Sequence, residues 1–109
     1  MLNMLKSVSL IPVHDKVVPD TFPCVTFHFY SESGALFGGG TATEETASCQ
    51  VDIWYKVKTN DVITTIGRIK KVIAGNKLFS YPEKDYIYEI GNKMHHTYFT
   101  FNLIIESEE

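Results

Sequence analysis

The sequence of 109 residues has little of what marks secreted, membrane-spanning or duplex-binding proteins. It has two cysteines and one tryptophan, and no apolar run approaches the roughly 20 residues of a transmembrane helix. The first residues lack the uninterrupted apolar centre of a signal peptide. A net charge of −3 argues against a domain dedicated to duplex DNA, which normally needs a basic surplus to contact phosphates. We expect one globular domain over residues 1–109 that acts where it is made and contacts no membrane.

The two cysteines lie too far apart in the predicted sheet to form a disulfide. If their strands form a hairpin centred on the glycine run, Cys49 lies opposite about Tyr30, six residues from Cys24. That offset is roughly 20 Å along a strand, whereas a disulfide needs Cα atoms within about 7 Å. We expect two reduced, structural thiols.

Motifs for catalysis, nucleotide binding and metal binding are also missing. The glycine-rich segment 33–41 lacks Gly-Lys-Ser/Thr and precedes a predicted strand, so a hairpin tip is favoured over a phosphate-binding loop. No Cys-x-x-Cys motif or helical His-x-x-x-His pair is present, and His95 and His96 point to opposite faces if a strand has begun there. No nucleophile elbow or Ser/His/Asp set stands out. We expect no enzymatic activity, no metal site and no cofactor.

What the sequence does contain is a long amphipathic strand that leads into an amphipathic helix. From Ala47 to Val57 apolar and polar residues alternate, which predicts a strand with one buried face. The period then changes, with Thr59 offering a capping hydroxyl and Gly75 a stop signal. Between them, four apolar residues recur at helical spacing, namely Val62, Ile66, Ile69 and Ile73.

The remaining segments complete an α+β domain. Periodicity and turn residues predict a short N-terminal helix that Pro12 ends, a short edge strand at 13–18, and strands at 24–30, 86–90 and 97–105. A long hairpin loop occupies about residues 31–46. The predicted fold is a mostly antiparallel sheet of four to five strands, with the main helix and the short N-terminal helix packed on one face.

Two groups of residues are not needed for the core. The first is the apolar pair Leu36-Phe37 before Gly38 in the glycine-rich loop, which we interpret as a contact that orders on assembly. The second is the sheet face turned away from the helices, which carries threonines and amphipathic aromatics. Its members are Thr26, His28, Tyr30, Trp54, Tyr98 and Thr100. A protein interface, a solvent-facing sheet surface and a platform for stacking single-stranded bases all fit this composition.

The order of elements resembles that of the small tail-terminator proteins, which complete the tails of long-tailed bacteriophages and join them to heads. The likeness spans nearly the whole chain. It rests on a Pro-rich approach to the strand Phe22-Pro-Cys-Val-Thr-Phe27, a long hairpin loop, the strand Val51-Asp-Ile-Trp54, one helix, and the terminal strand His95-His-Thr-Tyr-Phe-Thr-Phe101. The N-terminal helix is shorter here than in that family.

This resemblance implies a structural virion protein. Tail terminators form a six-membered ring that caps the tail tube, stops its polymerisation and offers a surface for the head. The implied partners are further copies of the chain, the tail tube protein and a head-completion or connector protein, while DNA passes through without specific binding. The implied location is the head-proximal end of the tail, after assembly in the cytoplasm of the bacterial host. Another head–tail connector protein and a small single-stranded nucleic-acid-binding domain are the alternatives.

Overall fold

The computed structural model describes residues 1–16, 18–19, 21–30 and 44–106, with residues 44–46 and 104–106 described by their backbone. The elements in chain order are α1 (Leu2–Val8), β1 (Val13–His14), β2 (Cys24–Tyr30), β3 (Glu44–Tyr55), α2 (Asn60–Ala74), β4 (Glu83–Glu89) and β5 (Met94–Glu106). The strands form one five-stranded sheet in the order β1-β2-β3-β5-β4. Only the short β1–β2 pair is parallel. The predicted α+β class and the mostly antiparallel sheet are confirmed.

The centre of the sheet is β3, which pairs with β2 on one side and β5 on the other. Its alternating pattern buries Cys49, Val51, Ile53 and Tyr55, which are at most 2% exposed. The strand ends at Tyr55 instead of Val57, and Val57 is 69% exposed. Val51 lies opposite Phe27 of β2 and opposite Phe99 of β5. Strands with opposing apolar residues of this kind bury a continuous layer on which helices can pack.

Helix α2 begins and ends where the sequence predicts. The Thr59 hydroxyl accepts a hydrogen bond from the Val62 N–H at 3.3 Å, and the Gly75 N–H donates to the Lys71 carbonyl at 3.0 Å. The predicted stripe is confirmed, since all four of its residues are buried together with Thr65. Among the described residues, no helix has both the length and the apolar character needed to cross a membrane.

Both helices pack on the same face of the sheet, as predicted. Leu5 of α1 and Ile69 of α2 are completely buried in one cluster with Val25, Ile53 and Phe99 of the strands. A hydrogen bond also joins the segment after α1 to α2, because the Leu10 N–H donates to the Thr65 hydroxyl at 3.0 Å. The helices do not cover the whole layer, and Phe29 at the end of β2 remains 48% exposed.

Several element boundaries differ from the prediction. β3 begins at Glu44, so residues 44–46, which the prediction placed in the loop, pair with residues 104–106 of β5. β4 runs from Glu83 to Glu89 instead of 86–90, and β5 begins at Met94 instead of Thr97. The edge strand β1 covers only Val13–His14. β3, β4 and β5 are longer than the periodic runs because backbone groups pair wherever a neighbouring strand is available, whereas β1 is shorter than predicted.

The two cysteines are buried thiols on opposite faces of the sheet. Cys49 lies opposite Phe29, one residue from the expected Tyr30, whereas Cys24 lies opposite Trp54. Burial, together with the negative charge of Asp52, raises the pKa of the Cys49 thiol to about 12.

Candidate functional site

Neither helix covers the second face of the sheet, which we call the open face. The strand registers place four predicted interface candidates on it: His28 and Tyr30 on β2, Trp54 on β3 and Tyr98 on β5. Residues form rows across the three strands, since Asp52 has Thr26 on one side and Tyr98 on the other. The four candidates therefore share one surface, although Tyr30 and Trp54 lie at opposite ends of the β2–β3 pair.

A buried carboxylate, Asp52, lies at the centre of the open face and is only 2% exposed. The Gln50 amide donates to its Oδ1 at 2.7 Å, and the His96 Nε2–H donates to the same oxygen at 2.6 Å. The Nδ1 atom of His28 lies 3.9 Å from Oδ2. A buried carboxylate needs hydrogen-bond donors, and Gln50 and His96 supply them, whereas the His28 Nδ1 atom is too far away to bond it and has no hydrogen-bond partner among the described residues.

Trp54 is fixed in place by contacts within its own chain. Its ring stacks on the His96 ring with centroids 3.8 Å apart and planes 10° from parallel. Its indole N–H donates to the Thr26 hydroxyl at 2.9 Å. Because His96 also bonds Asp52, these contacts link the indole to the buried carboxylate. We call Thr26, Gln50, Asp52, Trp54 and His96 the Asp52 network.

A histidine–carboxylate pair also occurs in acid–base catalysis, where the imidazole must reach a substrate. Here Asp52 and His96 are 2% and 8% exposed, and Trp54 covers one face of the His96 ring. The geometry therefore favours a role in orienting Trp54 and stiffening the sheet over proton transfer to a ligand.

The margin of the open face is acidic and aromatic. Tyr30 is 41% exposed. Tyr98 donates to Asp85 at 3.2 Å, and desolvation together with the nearby Asp85 charge raises the pKa of the Tyr98 hydroxyl. The register of β4 places Glu83 and Glu89 on the same face as Asp85.

A groove of about 440 Å³ opens beside Trp54, at the end of the sheet where β2 and β5 begin. Its lining combines apolar side chains with an amine, a carboxyl and an amide. The lining residues are Val18, Pro19, Phe22, Trp54, Lys56, Glu89, Asn92 and Met94. The Lys56 amine lies 5.8 Å from the centre of the Phe22 ring, within cation–π range.

The other predicted candidates lie elsewhere. Leu36, Phe37 and Gly38 fall outside the residues that the structure describes. His95 and His96 point to opposite faces as expected, because β5 has already begun at Met94. Within the described ranges, no three His, Cys, Asp or Glu side chains come together in a way that could hold a metal ion.

Sequence reasoning missed the Asp52 network. The sequence analysis identified neither Asp52 nor His96 as a site residue. One available signal was that Asp52 lies in the middle of the longest alternating segment, where a strand has neighbours on both sides. A carboxylate at such a position requires donors from adjacent strands.

Comparison with protein-family models gave no match for this chain, and comparison with curated protein sequences gave none either.

Proposed function

We propose that this chain is a structural virion protein that forms an oligomeric ring on the end of a phage tail tube. The ring ends tail polymerisation and presents the surface to which the head attaches. In this role the chain has no catalytic activity. Its partners are other copies of itself, the tail tube protein and a head-completion or connector protein, and its location is the head-proximal end of the tail.

The observation that carries the proposal is the uncovered, pre-organised open face. Aromatic residues with one polar group are enriched at protein interfaces, and rigid ones lose little entropy on binding. Trp54 meets this description because His96 and Thr26 hold it before any partner arrives. An alternating strand could have left these side chains independent and solvated, but the Asp52 network ties them together.

Strand β4 adds a second adhesive surface at the edge of the sheet. Tyr86, Ile87 and Tyr88 are 49%, 46% and 43% exposed in this edge strand. Glu83, Lys84, Asp85 and Glu89 charge the rest of this strand and oppose edge-to-edge strand pairing, so the contact that it offers is packing of the three large side chains. A subunit that presents two different contact surfaces can form head-to-tail contacts, which is the arrangement that closes rings.

The open face is poorly suited to single-stranded nucleic acid. Its residues in the described strands include no Lys or Arg, while Glu83, Asp85 and Glu89 line its margin. The Trp54 ring already stacks on His96, which leaves less of it for a base. Acidic side chains repel phosphates, a property that suits a ring through which DNA passes without being held.

The test is electron microscopy of the concentrated protein combined with sedimentation at several concentrations. We expect rings of uniform diameter with an open centre, and no binding to single-stranded oligonucleotides at low salt. Monomers at every concentration, together with oligonucleotide affinity that falls as salt rises, would instead support the nucleic-acid-binding alternative.

A further inference from the structure

We propose that the groove between Phe22 and Trp54 receives Leu36 and Phe37 of a second copy of this chain. The inference deepens the proposed function, since it identifies the contact between neighbouring subunits of the ring. It rests on the construction of the groove, on the chemistry of the segment 31–43, and on their positions at opposite ends of the β2–β3 pair.

The groove is built to receive apolar side chains. Phe22 forms one wall and is 41% exposed, and Val18 beside it is 72% exposed. Trp54 also lines the groove and is held by the His96 ring and the Thr26 hydroxyl. A fixed aromatic wall needs no ordering when a ligand binds, which is the property of the residues that contribute most to interface affinity.

The polar groups of the groove match a peptide better than a hydrocarbon. Lys56, Glu89 and Asn92 also line it, and they can satisfy the backbone N–H and C=O groups of an inserted segment. Such a mixture of mostly apolar lining with a few polar groups is typical of binding sites that select one orientation.

The chain itself contains a segment with the required chemistry. Leu36 and Phe37 are adjacent apolar residues between Gly34 and the three glycines 38–40, and Glu32 precedes them. Two large side chains flanked by glycines can enter a groove without steric conflict from their neighbours. The groove is lined by one amine, Lys56, and one carboxyl, Glu89, so Glu32 is complementary to its Lys56 side.

The strand register separates this segment from the groove of the same copy. Residues 31–43 connect Tyr30 to Glu44, beyond the Tyr30–Ser48 pair, whereas the groove adjoins the Cys24–Trp54 pair. Tyr30 lies six positions after Cys24, which is roughly 20 Å of strand. Each copy thus has a donor at one end and an acceptor at the other, which produces a heterologous contact that closes a ring when the rotation permits.

A peptide titration tests the groove directly. Trp54 is the single tryptophan of the chain and lines the groove, so its fluorescence responds to binding there. The protein is the full-length Phe37→Ser variant, which lacks its own anchor, and the ligand is a synthetic peptide of residues 31–43. We expect a saturable change in Trp54 emission, and binding about thirtyfold weaker for the same peptide carrying Phe37→Ser. No response to either peptide would overturn the proposal.

A complementation experiment tests the head-to-tail arrangement. Phe37→Ser has an intact groove and a defective anchor, whereas Phe22→Ala has an intact anchor and a defective groove. Each variant alone should sediment as a monomer, and an equal mixture should form dimers but no larger species. The control Leu78→Ser, at a residue that is 60% exposed and does not line the groove, should associate like the wild type.

The outcomes separate this proposal from the ring itself. Rings formed by the wild type and equally by both variants would reject the groove contact and leave the ring standing. Peptide binding without any ring would keep the groove and reject the proposed function. If Phe37→Ser altered Trp54 emission equally at every dilution, the anchor would occupy the groove of its own copy, and the second-copy proposal would be wrong. The peptide titration does not depend on the folding of Phe22→Ala.

Discussion

Asp52 carries a charge in the middle of the sheet at 2% exposure, and Gln50 and His96 both donate to the same oxygen of its carboxylate. Hydrogen bonds to a charged group contribute more than neutral ones, and a buried group that loses its partner costs its full desolvation. The Asp52 network therefore stabilises the fold through this residue, besides holding Trp54 in place.

Replacing this carboxylate tests its contribution. Asp52→Asn keeps the size of the side chain and an oxygen that can still accept from both donors, but it removes the negative charge that strengthens these two hydrogen bonds. We expect a loss of about 2–3 kcal/mol in the free energy of unfolding, measured by urea denaturation. The control Asp85→Asn, at the exposed margin, should change it by less than about 0.5 kcal/mol. Equal effects of the two substitutions would show that the Asp52 network contributes no special stability.

The Cys49 thiol makes the stability of the folded protein depend on pH. Burial raises its pKa from 9.0 to about 12, so the folded state holds the thiol proton more tightly than the unfolded state. The thiol's contribution to stability is complete below pH 9 and is lost as the pH rises through about 12. We expect iodoacetamide at pH 9 to alkylate Cys49 only in denaturant, as located by mass spectrometry of peptides. Rapid alkylation in the native protein at that pH would contradict the raised pKa.

At the scale of elements, α2 stabilises the domain through a single face. Ile69 is completely buried, whereas Ile63 on the same helix is 49% exposed. The two isoleucines therefore allow one substitution to be compared at a core position and at a surface position of one helix.

Ile69→Asp should unfold the domain, because an unpaired carboxylate would enter the apolar cluster at a cost above about 4 kcal/mol. The matched control Ile63→Asp should melt within a few degrees of the wild type. Thermal melts followed by circular dichroism make the comparison. An Ile69→Asp protein that melts at the wild-type temperature would mean that the buried face of α2 has been assigned wrongly.

Helix α2 also contains Gly67, and glycine in a helix interior is less stable than alanine. A Cβ atom at this position would meet no described atom within 4 Å. Gly67→Ala should therefore raise the free energy of unfolding by about 0.5–1 kcal/mol. At Gly75 a Cβ would lie 3.2 Å from the Lys71 carbonyl oxygen, so Gly75→Ala should gain less. A stabilised Gly67→Ala monomer that no longer assembles would place Gly67 at a subunit contact.

At the scale of the whole molecule, the sheet is unevenly supported along β3. Among the described residues, Ser48 to Trp54 pair with both β2 and β5, whereas residues 44–47 pair with β5. Two-stranded ribbons are marginally stable by themselves, so we expect the doubly paired part of β3 to be the most stable.

Hydrogen exchange of the dilute protein should reveal this gradient. Amides of Val51 to Trp54 should exchange close to the rate of global unfolding, and those of residues 44–47 should exchange at least tenfold faster. Assembly through the neighbouring segment 31–43 should slow exchange at 44–47 in concentrated samples. Uniform protection along β3 at low concentration would contradict the gradient.

The sequence by itself determined the layered architecture of this protein. Alternation in β3 and the helical spacing of α2 identify the buried face of each element, and the cap at Thr59 fixes where the helix begins. These patterns could be interpreted because they are local, so that each residue reports its own burial through its immediate neighbours. Both helices lie on one face for the same reason, since the aliphatic side chains of the central strands all point to that face and must be buried there.

Only the tertiary structure decided what the open face is. The bond between Asp52 and His96 joins residues 44 positions apart, and the indole of Trp54 donates to a hydroxyl 28 positions away. Whether these groups meet depends on the register of three strands, and a shift by one residue would turn each of them to the other face. The ends of the strands also depend on tertiary contacts, because residues 44–46 form strand where they pair with β5. Pairing partners are set by the packing of the whole chain, and no local pattern in this sequence contains that information.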